Sequence, residues 1–224
     1  MIYTYYTDVR CFENDMLFQE KLNTLSPYRQ QKIALLRNRK DKNRSLGAGL
    51  LLNHGLAAFG IQERIAEYEV GEWGKPALKY HPEISFSLSH SGDYAICSIG
   101  DKPVGNDIER VKAGRLRVAD RFFAKEELRW LYGAAKEEER TLRMFRIWTM
   151  KESFLKVTGR GMSLSLDEFA ICMDEKSQRA RVRHSFDEKY YYMREYREID
   201  GYCAAVCCQE SGDIAYDMIP VESV

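Results

Sequence analysis

The sequence predicts an α+β fold made of two similar α/β halves in tandem, each an antiparallel sheet packed with a long helix. Three observations carry this. Helical stretches followed by short strands occur in the first half of the chain and again in the second. Gly92-Asp93-Tyr94-Ala95-Ile96-Cys97-Ser98 is echoed by Asp200-Gly201-Tyr202-Cys203-Ala204-Ala205-Val206-Cys207, a faint internal repeat. No Pro-rich or Gly/Ser-rich stretch interrupts the 224 residues, so no flexible linker separates independent domains.

The elements follow in order. Ile2–Thr7 is rich in aromatic and β-branched residues and reads as a strand. Ser26-Pro27 opens a helix, with Ser as cap and Pro in the first turn. Residues 39–58 form the next helix, with Leu46, Leu50 and Leu51 on one face and Gly60 closing it. Strands at 84–88, 94–99 and 104–108 are separated by the turn signals Ser91-Gly92-Asp93 and Gly100-Asp101. The second half has helices at 124–132 and 142–158. Its strands fall at 169–173, 179–183, 189–196, 202–208 and 214–219.

Composition excludes several classes. Aromatic residues reach 12%, too many for a wholly disordered chain. No stretch approaches the roughly 18 apolar residues of a membrane span. MIYTYYTDVR carries neither a basic leader nor an apolar signal core, so the expected location is the cytoplasm, with no membrane partner. Thirty-four basic residues balance thirty-four acidic ones, which argues against a nucleic-acid binder. Locally the balance fails. Eight basic residues lie between Lys21 and Arg44, with Asp41 the sole acid. That excess either attracts an anion or is a solvated helix face. None of the six cysteines forms a C-x-x-C pair; Cys97, Cys172 and the 203–208 group sit in apolar runs and read as buried thiols.

Four patches could carry chemistry. In Val104-Gly105-Asn106-Asp107-Ile108-Glu109, strand alternation puts Asp107 and Glu109 on one face, about 7 Å apart along the backbone. Such a pair holds a hard cation such as Mg²⁺, or is two solvated acids on an edge strand. In Trp148-Thr149-Met150-Lys151-Glu152-Ser153-Phe154-Leu155-Lys156, Glu152 and Lys156 share a helix face, as an ordinary surface pair also would. That helix is apolar nearly all round, so Glu152 needs a partner, and a cation shared with Asp107 and Glu109 would be one. Ser87-Leu88-Ser89-His90-Ser91-Gly92 offers hydroxyls, an imidazole and backbone N–H groups to a phosphate, or is a hydrogen-bonded turn. Gly71-Glu72-Trp73-Gly74-Lys75-Pro76 reads alone only as a turn bearing one cation.

Taken together and in order, these patches resemble the 4′-phosphopantetheinyl transferases of the larger, surfactin-synthetase-activating class. The matching pieces are Trp73-Gly74-Lys75-Pro76, Phe86-Ser87-Leu88-Ser89-His90-Ser91, Gly105-Asn106-Asp107-Ile108-Glu109 and the Trp148–Lys156 run. The loop Gly159-Arg160-Gly161-Met162-Ser163-Leu164 follows them. One position departs: the residue before the first aspartate is usually apolar in that family, and here it is Asn106. Alternation puts Asn106 on the face away from the carboxylates, where its amide needs hydrogen-bond partners.

The resemblance implies transfer of the 4′-phosphopantetheine arm of coenzyme A to a serine of an apo acyl or peptidyl carrier protein, releasing adenosine 3′,5′-bisphosphate. It implies Mg²⁺, with Mn²⁺ as the substitute, on Asp107, Glu109 and Glu152. Glu152 would also take the serine proton, and Lys156 would act on the leaving group. Ser89 and His90 would bind coenzyme A phosphates, Arg29, Lys32 and Arg44 the 3′-phosphate, and Gly74-Lys75-Pro76 the adenine. The halves would divide at 1–104, carrying the 3′-phosphate and adenine contacts, and 105–224, carrying the metal and catalytic residues. The site would lie in the cleft between them, in a monomer. Two other classes remain: a Mg²⁺-dependent phosphohydrolase, and a non-catalytic module that binds coenzyme A or a carrier.

Overall fold

The computed structural model describes residues 1–174, 176–209 and 214–222. The first half contains β1 (Tyr3–Asp8), α1 (Asp15–Leu22), α2 (Pro27–Ala34), α3 (Arg39–Ala57), β2 (Tyr68–Val70), β3 (Pro76–Leu78), β4 (Ser85–Ser91) and β5 (Tyr94–Gly100). The second contains β6 (Val104–Arg110), α4 (Leu116–Phe122), α5 (Lys125–Tyr132), α6 (Glu137–Thr158), β7 (Ala170–Asp174), β8 (Arg179–Arg183), β9 (Tyr191–Tyr196), β10 (Tyr202–Gln209) and β11 (Ile219–Pro220). Among these residues no helix is long and apolar enough to cross a membrane.

The tandem repeat is visible in the strand order. One sheet runs β11-β1-β5-β4 and the other β6-β10-β9-β8-β7. In each, the strand that opens the half pairs antiparallel with its last long strand, which pairs antiparallel with the strand before it. Strand β11 crosses back to pair in parallel with β1. Tyr94 and Tyr202, equivalent positions in the sequence echo, meet edge to face with ring centroids 5.1 Å apart.

Local chemistry sets the helix ends. The Ser26 hydroxyl accepts the Arg29 N–H, with Pro27 in the first turn, and Asn38 caps α3 through the Asp41 N–H at 2.8 Å. Gly159, in the left-handed region at φ +67°, ends α6. Helix α3 buries Leu46, Leu50, Leu51 and Leu56 against the first sheet. Helix α6 buries Met144, Phe145, Ile147, Met150 and Phe154 against the second. A third cluster, with Ile2, Ile96, Val104, Ile108, Tyr196 and Val206, closes the opposite faces of the two sheets on one another.

The structure departs from some of the expected elements. The strand at 214–219 reduces to a bridge between Ile214 and Ile2 and the two-residue β11. Between them, side chains take the backbone groups: Met218 N–H donates to Glu198, and Tyr216 C=O accepts from Arg194. Cys172 is exposed rather than buried, because it lies on the edge strand β7. The short helices α1 and α4 and the β2–β3 hairpin had no counterpart in the sequence reading.

Candidate active site

Strand β6 runs beside β4, and the two are joined by side chains. The hydroxyls of Ser85, Ser87, Ser89 and Ser91 accept the N–H groups of Val104, Asn106, Ile108 and Arg110. This seam places Asp107 and Glu109 where the two halves meet. Ser89 Oγ donates to Asp107 Oδ1 at 2.7 Å, and Ser91 Oγ donates to Glu109 Oε2 at 2.8 Å. From α6, Lys156 Nζ donates to the same Asp107 Oδ1 at 2.8 Å.

Glu152 lies one helical turn before Lys156. Burial, then the Asp107 charge, pushes its carboxyl pKa up; Lys156 opposes this and Glu109 adds to it. Glu109 is also raised, by burial first, with the Ser91 hydrogen bond opposing and Asp107 adding. The three carboxylates therefore feel one another. Among the described residues, no three His, Cys, Asp or Glu side chains stand ready-made as a metal cluster. Asp107 has Lys156 as its counter-charge. Its other oxygen, Oδ2, is buried without a hydrogen-bond partner, an unusual state for a carboxylate oxygen. That free oxygen, with two neighbouring carboxylates, fits a hard divalent cation.

Next to the carboxylates opens a cavity of about 640 Å³, walled by both halves. Arg29, Lys32, Trp73, Gly74, Lys75, Pro76, Ser89 and His90 line it from the first half, and Glu152, Lys156 and Gly159 from the second. Arg29 is only 5% exposed, and its Nε and Nη2 have no hydrogen-bond partner. Its nearest counter-charge is Glu63, at 4.0 Å, whose carboxylate already accepts from the Ser26 N–H, the Ser26 hydroxyl and the Tyr68 hydroxyl. A buried guanidinium with idle donors is a seat for an anion.

Lys75 reaches across the seam to donate to Val104 C=O at 2.7 Å. Burial, reinforced by the Lys156 charge, pushes its pKa down to about 8. Desolvation and then the Arg44 guanidinium lower His90 as well.

Arg44 itself does not line the cavity; it donates to Gly92 C=O and pairs with Asp41. The wall of α3 is instead Asp41, Ser45 and Ala48, a stripe of helical period that could have been read from the sequence. The Lys151 of the motif is fully buried. Its ammonium donates to the carbonyls of Leu166 and Phe169 and pairs with Glu127 at 2.9 Å, so it anchors α6 and leaves Glu152 to face the cavity. Asn106 is likewise buried, on the face away from the carboxylates. Its amide donates to Ser87 C=O and the Ser98 hydroxyl.

Comparison with known proteins matches residues 103–207 to the 4′-phosphopantetheinyl transferase superfamily. The chain is 31% identical over 187 residues to 4′-phosphopantetheinyl transferase Sfp of Bacillus subtilis strain 168, with 83% of each chain covered. It is 34% identical over 173 residues to 4′-phosphopantetheinyl transferase psf-1 of Bacillus pumilus, covering 76% of this chain and 72% of that one. Among solved structures, a holo-(acyl-carrier-protein) synthase from Bacillus anthracis strain Ames, in complex with CoA (3′,5′-ADP), aligns with a TM-score of 0.42 at 18% identity. That alignment covers 49% of this chain and 96% of that one.

Proposed function

Because the chain belongs to the 4′-phosphopantetheinyl transferase superfamily, we propose that it moves the phosphopantetheine arm of coenzyme A to a serine of an apo acyl or peptidyl carrier protein. The observation that carries the reading is one cavity with two unlike ends. At one end stands the buried guanidinium of Arg29 with idle donors; at the other Glu152 and Lys156 line the wall, Glu152 feeling the charges of Asp107 and Glu109 beside it, with Asp107 Oδ2 unpartnered. Coenzyme A is a polyanion with a phosphate on its ribose and a pyrophosphate farther along, which suits that layout.

In this reading the serine oxygen attacks the phosphorus that bears the pantetheine. The serine proton passes to Glu152, and the bond to the adenosine-side phosphate breaks, its electron pair leaving with adenosine 3′,5′-bisphosphate. Lys156 acts on the oxygens where charge builds; Lys75, expected along the adenine with Gly74 and Pro76, lies near enough to feel the Lys156 charge and that of a phosphate bound beside it. Asp107, Glu109 and Glu152 would hold a Mg²⁺, which when bound would supply charge neutralisation at the pyrophosphate. Arg29 and Lys32 hold the 3′-phosphate, with Arg44 acting on His90 by its charge rather than by contact. Ser89 and His90 lie along the phosphates. Both cavity walls come from one chain, which supports a monomer, and we place the enzyme in the cytoplasm.

The test is incubation with coenzyme A, Mg²⁺ and a panel of apo carriers, reading the mass of each carrier. Addition of one phosphopantetheine to a carrier is expected. Hydrolysis of simple phosphate esters with no carrier modified would replace this reading with the phosphohydrolase.

Two further results are expected. Coenzyme A should bind more tightly than its 3′-dephospho form by about 1.5–3 kcal/mol, the worth of a charge-assisted hydrogen bond. The gap should shrink in Arg29→Met and at high salt; equal wild-type affinities for the two ligands would remove Arg29 from the site. Second, Lys75 is partly neutral in the free protein above pH 8, and a bound phosphate favours its charged form. Coenzyme A binding there should take up a proton and weaken as the pH rises. Calorimetry in buffers of different ionisation enthalpy measures the uptake, which should vanish in Lys75→Met.

A further inference from the structure

The serine seam does more than join two strands. Four serines occupy every second position of β4, and each accepts an N–H nineteen residues on, at 3.2 Å for Ser85, 3.0 Å for Ser87, 3.4 Å for Ser89 and 3.1 Å for Ser91. A hydroxyl that accepts still has its own proton to give. What it can give it to depends on the residue eighteen positions on. Opposite Ser85 and Ser87 that residue is Pro103 and Gly105, which have no side-chain acceptor. Opposite Ser89 and Ser91 it is Asp107 and Glu109, and both carboxylates receive the bond.

We propose that Ser91 is a positioning residue of the metal site, holding Glu109 in its coordinating rotamer from the opposite half of the chain. This rests on the metal assignment made above. Glu109 is only half-buried on β6, and no other hydrogen bond to its carboxylate is seen among the described residues. Without the Ser91 donor its three side-chain torsions are free, and a cation must order them on binding. The bond also differs in kind from that of its neighbour. Asp107 is held partly by the Lys156 ammonium on Oδ1, a positive charge that opposes a cation at the same carboxylate. Ser91 is neutral, so it orients the ligand without opposing the metal's charge. One hydroxyl thus ties the register of β4 against β6 to the geometry of the ligand set. Partners of this kind behind metal ligands orient them and tune the site.

The experiment measures Mn²⁺ and Mg²⁺ affinity calorimetrically on the full chain without coenzyme A, alongside the Mg²⁺ dependence of transfer. Ser91→Ala should bind metal about tenfold more weakly, the lower end of what such second-layer substitutions cost. Its transfer rate should recover at saturating Mg²⁺. Ser91→Thr, which keeps the hydroxyl, should match wild type. Ser85→Ala is the control: it loses the same kind of N–H acceptor but no carboxylate contact, so its metal affinity should not change. Should Ser91→Ala unfold, Ser91→Cys keeps the volume with a much weaker donor and serves in its place. Wild-type metal affinity in Ser91→Ala, or equal weakening in Ser85→Ala, would reduce Ser91 to a seam residue and overturn the proposal. A wild-type protein that binds no metal overturns it too. A protein that binds metal with the expected Ser91 effect but modifies no carrier refutes the transferase reading and leaves Ser91 in its place.

Discussion

Gly105→Ala is expected to lower the melting temperature by about 6–12 °C and to abolish transfer. The reason is a close approach, since Gly105 has no positive φ. A Cβ there would stand 2.1 Å from Ser153 O, 2.5 Å from Val157 N and 3.0 Å from the Lys156 carbonyl carbon. All three are backbone atoms of α6, which cannot rotate aside as a side chain could. Strand β6 and α6 must separate, or the helix must bend. Overpacking of a close-packed interior costs about 1–3 kcal/mol, and a clash with backbone belongs at or above the top of that range. At about 2–4 °C per kcal/mol for a chain of this size, that gives the stated shift. Activity should fall further than stability, because the segment pushed away carries Glu152 and Lys156 while the strand carries Asp107 and Glu109. Thermal melts and transfer rates below the melting range separate the two effects. A Gly105→Ala protein that melts and turns over like wild type would mean that the helix does not lie on the strand as described.

That glycine marks the boundary of what the sequence could tell. Local pattern was enough for the long elements: the periodicity of Leu46, Leu50 and Leu51 placed α3, and β-branched and aromatic runs placed β1, β5 and β10. Strand alternation was enough to put Asp107 and Glu109 on one face and Asn106 on the other. Contacts between distant segments were not legible. Ser87, Ser89 and Ser91 read as hydroxyls for a phosphate or for a turn, and Ser85 only as part of a strand, because their partners lie nineteen residues on in a strand they do not join by backbone ladder. Lys151 read as one more charge in a motif. Only the packed structure shows its ammonium enclosed by two carbonyls and Glu127. Arg44 was assigned to the 3′-phosphate by the resemblance, yet it is the neighbouring Ser45 that lines the cavity. Charge draws attention to a position, and helical phase decides which way it points.

Glu152→Gln and Lys156→Ala should both lower the transfer rate by at least about 10²-fold, and they should differ in their response to Mg²⁺. Loss of a general base costs about 10²–10⁴ in rate, and loss of an electrostatic donor about 10²–10³. Glu152 is read as both metal ligand and base. A neutral amide neither attracts the cation nor takes the serine proton, so Glu152→Gln should need more Mg²⁺ and stay slow even when saturated. Lys156 is read as acting on the charge that builds on the departing bisphosphate, and in the free protein its ammonium lies 2.8 Å from Asp107 Oδ1. Removing it leaves that oxygen with the Ser89 hydroxyl alone and removes a positive charge that repels the cation. Lys156→Ala should therefore bind Mg²⁺ at least as tightly as wild type while turning over slowly. The bland alternative is that Glu152 and Lys156 form only a surface pair on α6. Each substitution would then cost under about 1 kcal/mol of stability and leave the rate alone. Transfer rate measured against Mg²⁺ concentration for the two variants decides among these outcomes. A raised half-saturating Mg²⁺ concentration in Glu152→Gln and an unchanged or lowered one in Lys156→Ala, both with depressed maximal rates, are the expected pattern; wild-type turnover in both variants would move the active site elsewhere.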